Sequence, residues 1–384
     1  YVNAYYGGML GISKEYGIRK DDAMDTGKDK YLNTMYGAKV FNQLNNESSI
    51  FKLLPKQPWN TSGWRVLKTR TASASNAGIA EGATFPATDV PDLEEMEVTM
   101  KEIVSPWDIT TRASLLSKAD DGLGDIEAFL RDNAATDHAY YIDQMLVAQS
   151  SVRTANNFES LDRIISANAE LAFSAVIAAG ELDPWELAAA DRDSDATNDA
   201  YVSQGDTSST RGDARLLTLE LVDGLIRNAL ENGAKYENLI FLTGYSTLEE
   251  FKRLVSGSVS NATWRFMMES QAPKAQGGVK SQPGMNLDSR VGYYDSIPMF
   301  VSQHVPISSA AGGTLLAGAE VGIEPLYLLD MEHLYMKLAV PTTYVSNEDL
   351  GVTQKLAREY AFITGGELVC TKFASQGKVR DLYT

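Results

Sequence analysis

Apolar residues recur along this chain at two different intervals. From Asp125 to Val152, Ile126, Leu130, Ala134, Tyr141, Met145, Ala148 and Val152 stand three, four or seven positions apart, the spacing that lines one face of a helix. The pattern predicts one long helix, on the order of 40 Å at 1.5 Å per residue, with Asp125 complementing its N-terminal dipole. A helix of that length suits a spine for attached sheets. Upstream the rhythm changes. Trp64 to Thr71 partly alternates apolar and polar, as a half-exposed strand does, and Met96 to Thr111, with Val98, Met100, Ile103 and Val104, is a matching strand. Between them Ala72 to Glu95 is rich in Ala, Ser, Gly and Pro, with Pro86 and Pro91 and no helical stripe. Two strands joined by so long a connection predict a hairpin flap, Trp64 to Trp107, that projects outward, because such a loop does not fit inside a compact domain.

The remaining segments complete an α+β pattern. Residues 1 to about 60 mix Gly, Asn, Tyr and charge, with Lys14, Arg19, Lys20, Asp21 and Asp22 close together, and read as an extended arm that drapes over another surface. A helix is expected from Asp213 to Asn232, on Leu217, Leu221, Leu225 and Leu230, with Gly233 as its C′ residue. A buried strand follows at Asn238 to Thr243. Ser246-Thr247-Leu248-Glu249 then has the form of a capping box opening a helix to about Val255. After a loop from Ala272 to Leu287, short strands are expected around Val291 to Tyr294 and Ile297 to Ser302. Late strands are expected at Leu326 to Met331, Leu334 to Val340, Tyr360 to Lys372 and Gly377 to Leu382. Strands arriving so late need partners, and the spine offers a surface, so the chain is expected to return to its starting domain.

Composition narrows the function. The chain has 384 residues and 44% hydrophobic side chains, enough for one large core or two moderate ones. A net charge of -17 argues against a surface that grips phosphates. The single cysteine, Cys370, excludes an internal disulfide, and His138, His304 and His333 lie too far apart for zinc spacing. No apolar run approaches the roughly 20 residues of a bilayer span, and no membrane partner is expected. The chain opens on Tyr1 in place of Met, for which proteolytic maturation is one explanation and a trimmed or partial chain another.

Several motifs invite chemistry and are outweighed. Asp191, Asp193 and Asp195 alternate as calcium ligands do, but Ala196 stands where the turn needs Gly and Val202 where a bidentate Glu belongs. A solvated insertion, Leu182 to Thr210, is the better reading. Gly244-Tyr245-Ser246 resembles a nucleophile elbow except that Leu248 replaces the last Gly, and a capping role explains Ser246. His333 sits in Asp330-Met331-Glu332-His333 at a strand edge and turn, where a structural histidine is expected. The pairs Glu94, Glu95 and Asp120, Asp121 read as solvated surface. Tyr5, Tyr6, Tyr140 and Tyr141 lack the basic surroundings that base stacking requires. No phosphate-binding glycine motif occurs. No catalytic, cofactor-binding or metal-binding residue is assigned, and no enzyme is expected.

The order of arm, flap, spine, α+β domain and returning strands resembles the Hong Kong 97 type major capsid protein of tailed viruses over nearly the whole chain. The residues that carry the likeness are Gly78-Ile79-Ala80-Glu81-Gly82-Ala83 to Pro86, the returning strand Glu97 to Ile109, Leu115-Leu116-Ser117, Gly292 to Met299, Gly366 to Lys372 and Gly377 to Leu382. The resemblance implies an N-terminal arm (1–60), an E-loop (61–115), a P-domain spine helix (116–155), an A-domain (156–325) with the acidic insertion 182–210, and a return to the P-domain (326–384). It implies pentamers and hexamers of an icosahedral head enclosing double-stranded DNA, a virion location after assembly in the host cytoplasm, and portal, scaffold or maturation protease and decoration proteins as partners. A nanocompartment shell of the encapsulin kind is the alternative within the same fold. Some members cross-link Lys to Asn, and no such pair is matched here, with Lys68 near the flap base a weak candidate.

Overall fold

The computed structural model describes residues 50–67, 78, 80–84, 93–119, 126–148, 156–167, 199–204, 215–257, 266–268, 292–307, 322–347 and 357–383. The expected arm before Ile50, most of the flap tip, Asp125, Asp191 to Asp195 and the loop Ala272 to Leu287 lie outside these residues. The chain divides into two compact units; among described residues, unit 1 takes Val104–His138 and Thr342–Thr364, and unit 2 takes Ser48–Ile103, Ala139–Pro341 and Gly365–Thr384.

Unit 2 is organised by a seven-stranded mixed sheet. Its centre is β7 (Leu239–Thr243), flanked by β10 (Ile297–Val301) in parallel and β11 (Leu326–Asp330) antiparallel. Every residue of these three strands is buried, because both faces are covered, which is why Leu239 to Leu242, Ile297 to Val301 and Leu326 to Leu329 read as apolar runs. Alternate residues serve opposite cores. Ile240, Leu242, Phe300, Tyr327 and Leu329 pack with Ile142, Met145, Phe158 and Leu161. Leu239, Phe241, Met299, Val301 and Leu328 pack with Val222, Leu225, Leu248 and Phe251, which belong to the helices α5 (Leu219–Glu231) and α6 (Tyr245–Gly257). Each such side chain removed from water contributes about 1.5–3 kcal/mol. Beyond β11 the sheet continues through β14 (Gly377–Val379) to β5 (Tyr201–Ser203), and beyond β10 through β9 (Gly292–Tyr294) to β8 (Phe266–Met268). The β9–β10 link is a two-residue turn in which Asp295 and Ser296 both have positive φ, 48° and 69°, the geometry that matches hairpin twist.

Local chemistry explains the element ends. Gly233, at φ 83°, closes α5 with its N–H on Leu230 O, while Ala234 N–H reaches Ala229 O, the two bonds of a Schellman cap. The helix itself is shorter than expected, since Arg215–Leu216 form β6, paired in parallel with β15 (Leu382–Tyr383), and Thr218 is the N-cap. A short helix, α1 (Ile50–Leu53), has its first amides, Ile50 and Phe51, bonded to the Asp143 carboxylate at 3.2 and 2.7 Å.

A second sheet has the strand order β1-β12-β13-β4, with β1 at Lys56–Pro58, β4 at Lys101–Thr110, β12 at Leu334–Asn347 and β13 at Ala357–Cys370. In unit 1, Ile109, Ala113, Ile126 and Tyr360 form a small core with Trp107 and Leu130. Ala113 and Ile126 belong to α2 (Thr111–Ala119) and α3 (Ile126–Leu146). The spine helix α3 has 21 residues, about 31 Å at 1.5 Å per residue, so it is shorter than expected. It ends at Leu146, and Ala148 N–H closes a turn on Met145 O. Tyr141, expected on the apolar face, is 47% exposed.

Candidate assembly site

The flap begins as a strand pair, β2 (Gly63–Leu67) with β3 (Leu93–Glu97), in antiparallel register Trp64↔Met96 and Arg65↔Glu95. The expected single returning strand from Met96 to Thr111 is two strands. Val98 to Met100 interrupt it, because Val98 is buried and gives its N–H to Ser62 O at 2.8 Å, so that β4 leaves for the other sheet. At the foot of the flap, Met96 is buried and Trp64 packs against the core. Lys337 Nζ lies 5.6 Å from the Trp64 ring centre and donates to Thr61 O at 2.9 Å, and burial lowers its pKa. Arg65 and Glu95 pair at 2.9 Å with side chains 70% and 72% exposed, where such a pair adds little stability. Further out, Ala83 N–H bonds Ala80 O across Glu81 and Gly82, with Gly82 at φ 84°, a turn that needs glycine in its third position. Ala80 to Thr84 are exposed. The pair thus supplies a fastened base and an exposed end.

In unit 1 the outer half of the β12–β13 pair carries aromatic rings. Trp107 stacks on Tyr360 at 4.3 Å, and Tyr344 lies 5.6 Å from Tyr360 and 5.4 Å from Phe362. The Tyr360 hydroxyl donates to Glu127 Oε1 at 2.8 Å, and burial together with this bond pushes its pKa to about 12. Pro341 to Ser346 are exposed. Exposed apolar side chains include Val104, Leu115, Tyr344 and Val345.

Unit 2 also buries charge. Lys101 Nζ lies 2.6 Å from Glu367 Oε2, while Glu367 Oε1 accepts from the amides of Glu159 and Leu368 at 2.6 and 3.0 Å. Desolvation raises the Glu367 pKa against the opposing pull of Lys101. Arg163 pairs with Glu159 at 3.2 Å. Lys378 Nζ donates to Asp162 Oδ1 and to Asp162 O, both at 3.0 Å, and Tyr327 OH donates to the same Oδ1 at 3.1 Å. All these charged groups are buried or nearly so. Buried pairs are expensive to break, because a lone partner stays desolvated. They tie the segment around α4 (Leu161–Ile164) to β4, β13 and β14.

Residues singled out for chemistry take structural places. Ser246 is in the first turn of α6, where its hydroxyl donates to Glu324 Oε1 at 3.1 Å; the Thr247 amide donates to Glu324 Oε2 at 3.1 Å. The expected Ser246–Glu249 capping box is absent, and the carboxylate of Glu324 caps the helix instead. A side chain at Gly244 would overlap that carboxylate. His333 Nδ1 meets Thr371 Oγ1 at 3.1 Å, Glu332 bonds Lys235 and Asn238, and the Asp330 amide bonds Gln376 Oε1. His138, which drew no functional reading, is 1% exposed and lies 2.8 Å from both Ser105 Oγ and Thr364 Oγ1. The Ser105–His138 spacing fits a nucleophile and base, yet the second ring nitrogen meets a hydroxyl where a triad has a carboxylate. Among the described residues no three His, Cys, Asp or Glu side chains gather as metal ligands, and no helix is long and apolar enough to cross a membrane. Lys68 lies outside the described residues.

No protein-family model matches the sequence, and no curated protein matches it. Solved structures do match by shape. The Cyanophage A-1(L) capsid subunit is similar at a TM-score of 0.58 and 14% identity, over 90% of this chain and 95% of that one. The capsid of the native GTA particle is similar at 0.51 and 13%, over 89% and 92%. The mature capsid of bacteriophage PhiM1 is similar at 0.51 and 12%, over 91% of each chain. The chain has the Hong Kong 97 type fold. That fold is α+β, as expected from the order of helices and strands.

Proposed function

We propose that this chain is the major capsid protein of a tailed virus, a non-enzymatic subunit that assembles with copies of itself into pentamers and hexamers of an icosahedral head around double-stranded DNA. The observation that supports it is the shared fold with phage capsid subunits over about nine-tenths of each chain. In this reading residues 1–60 are the N-terminal arm, 61–115 the E-loop, 116–155 the spine of the P-domain, 156–325 the A-domain with its insertion at 182–210, and 326–384 the return to the P-domain. The flap lies over a neighbouring subunit, where edge strands gain main-chain hydrogen bonds. A net charge of -17 suits a wall that contains DNA without adhering to it. Portal, scaffold or maturation protease and decoration proteins are the further partners, and the capsid of the virion, assembled in the host cytoplasm, is the location.

Electron microscopy of the purified protein under assembly conditions, with the nucleic acid content of any particle, tests the reading. Closed shells with encapsidated DNA from infected cells are the expected result. Monomers or small oligomers under every condition would overturn it, and shells carrying a protein cargo and no DNA would turn it toward a nanocompartment.

A further inference from the structure

The His138 imidazole joins one helix to three strands in unit 1. It stands on α3, and its Nδ1 is 2.8 Å from Ser105 Oγ on β4. Its Nε2 is 2.8 Å from Thr364 Oγ1 on β13, and that oxygen is 2.9 Å from Thr342 Oγ1 on β12. The partners are 33 and 226 positions away in sequence. A neutral ring has one donor nitrogen and one acceptor, so the proton order can run without conflict from Ser105 through the ring to Thr364 and Thr342.

Among the described residues, the groups bonded to the ring are uncharged hydroxyls. Ser105 meets it from β4, and Thr364 and the Phe362 ring, 6.2 Å away, from β13. β12 carries no charged residue from Leu338 to Ser346. On β13, Arg358 pairs with Glu127 at 3.9 Å. On α3 itself, Asp137 is exposed and accepts from Asn133 Nδ2 at 3.0 Å. β4 also carries Lys101, Glu102 and Asp108, and β13 Glu359 and Glu367. Burial accordingly lowers the histidine's pKa, with no opposing charge.

We propose that His138 is an acid-release fastener: neutral, it holds α3 to β4, β13 and β12 within unit 1, and protonation undoes that hold. The sign follows from the depressed folded pKa. Below the ordinary value near 6.5 the opened state takes up a proton that the closed state resists. Closure is therefore at full strength above about pH 6.5 and weakens as the pH falls.

Amide hydrogen exchange of the full chain, corrected for intrinsic pH dependence, reads this at pH 7.5 and 5.0 in peptides from α3, β4 and β13. Opening at these elements is expected to rise with acidity by up to about tenfold per pH unit, the limit for one proton. The rise should be flattened in His138→Gln, whose side chain keeps a donor and an acceptor but does not titrate. The same acid dependence in His138→Gln overturns the proposal. Should that variant fail to fold, the ring proton resonances of the double variant His304→Gln/His333→Gln, which leaves His138 as the sole histidine, give its pKa directly. A value below 6.5 is expected, and one at or above 6.5 refutes the fastener.

Discussion

Lys101 Nζ and Glu367 Oε2 stand 2.6 Å apart in unit 2, with side chains 9% and 1% exposed. Lys101→Met leaves the carboxylate desolvated and without its cation. The expected cost is about 3–5 kcal/mol at pH 7, the usual range for breaking a buried pair. Because the folded Glu367 pKa is already raised by desolvation, its contribution is greatest below the unfolded value near 4.5 and declines as pH rises through the folded pKa. The deficit of Lys101→Met should therefore shrink between pH 7 and pH 5. Urea midpoints at the two pH values check this, and a deficit that grows on acidification would contradict the assignment.

Glu324 replaces the local cap on α6. Glu324→Ala removes the acceptor of both the Ser246 hydroxyl and the Thr247 amide, and a loss of about 1–2 kcal/mol is expected. Glu324→Gln, which retains an acceptor oxygen, should cost less. Chemical denaturation of the three proteins in parallel gives the comparison.

Gly366 admits no side chain, because a Cβ there would overlap the Lys337 carbonyl on the neighbouring strand β12. Gly366→Ala should force β12 and β13 apart and destabilise the protein by several kcal/mol, as overpacking of a rigid backbone contact does. A melting temperature within a few degrees of the parent would show that the strands yield easily.

Cys370 is fully buried, and desolvation pushes its thiol to about 12. The thiolate is the nucleophile, so the native protein should resist maleimide labelling from pH 7 to pH 9 and react once unfolded in denaturant. Mass spectrometry reads the difference.

Removing residues 69–92 spares both β2 and β3, whereas a deletion from Ala72 to Glu95 would cut into β3 at Leu93–Glu97. The shorter protein should keep its urea midpoint and fail to form regular shells. Normal shells by electron microscopy would refute the role proposed for the flap.

The features legible in the sequence were those whose cause is local. The unbroken apolar run of β7 and the glycine that ends α5 carry their explanation within a few residues. The cap on α6 does not: its carboxylate comes from Glu324, 77 positions from Thr247, and Ser246 and Glu249 offered a nearer solution that the fold does not use. Lys101, Glu159, Asp162, Glu367 and Lys378 went unread for a related reason. Charged residues ordinarily face water, and only the pairing of distant segments makes their burial tolerable. The break between β3 and β4 was hidden because Val98 and Met100 continue the alternation of a strand even though the backbone there turns to Ser62. His138 lay on a helix face whose apolar rhythm drew attention to its neighbours, and its partners are hydroxyls that carry no sequence signature.

β14 sits between β5 and β11 in the large sheet, with Gly377 opposite Tyr201 on one side and Leu328 on the other. A chain still emerging from the ribosome, or one truncated before residue 377, has the two flanking strands and nothing to join them. The large sheet of unit 2 therefore closes only once residue 379 has been synthesised. A copy cut short before that point would leave the facing edges of β5 and β11 unpaired and so carry the mark of an unfinished fold.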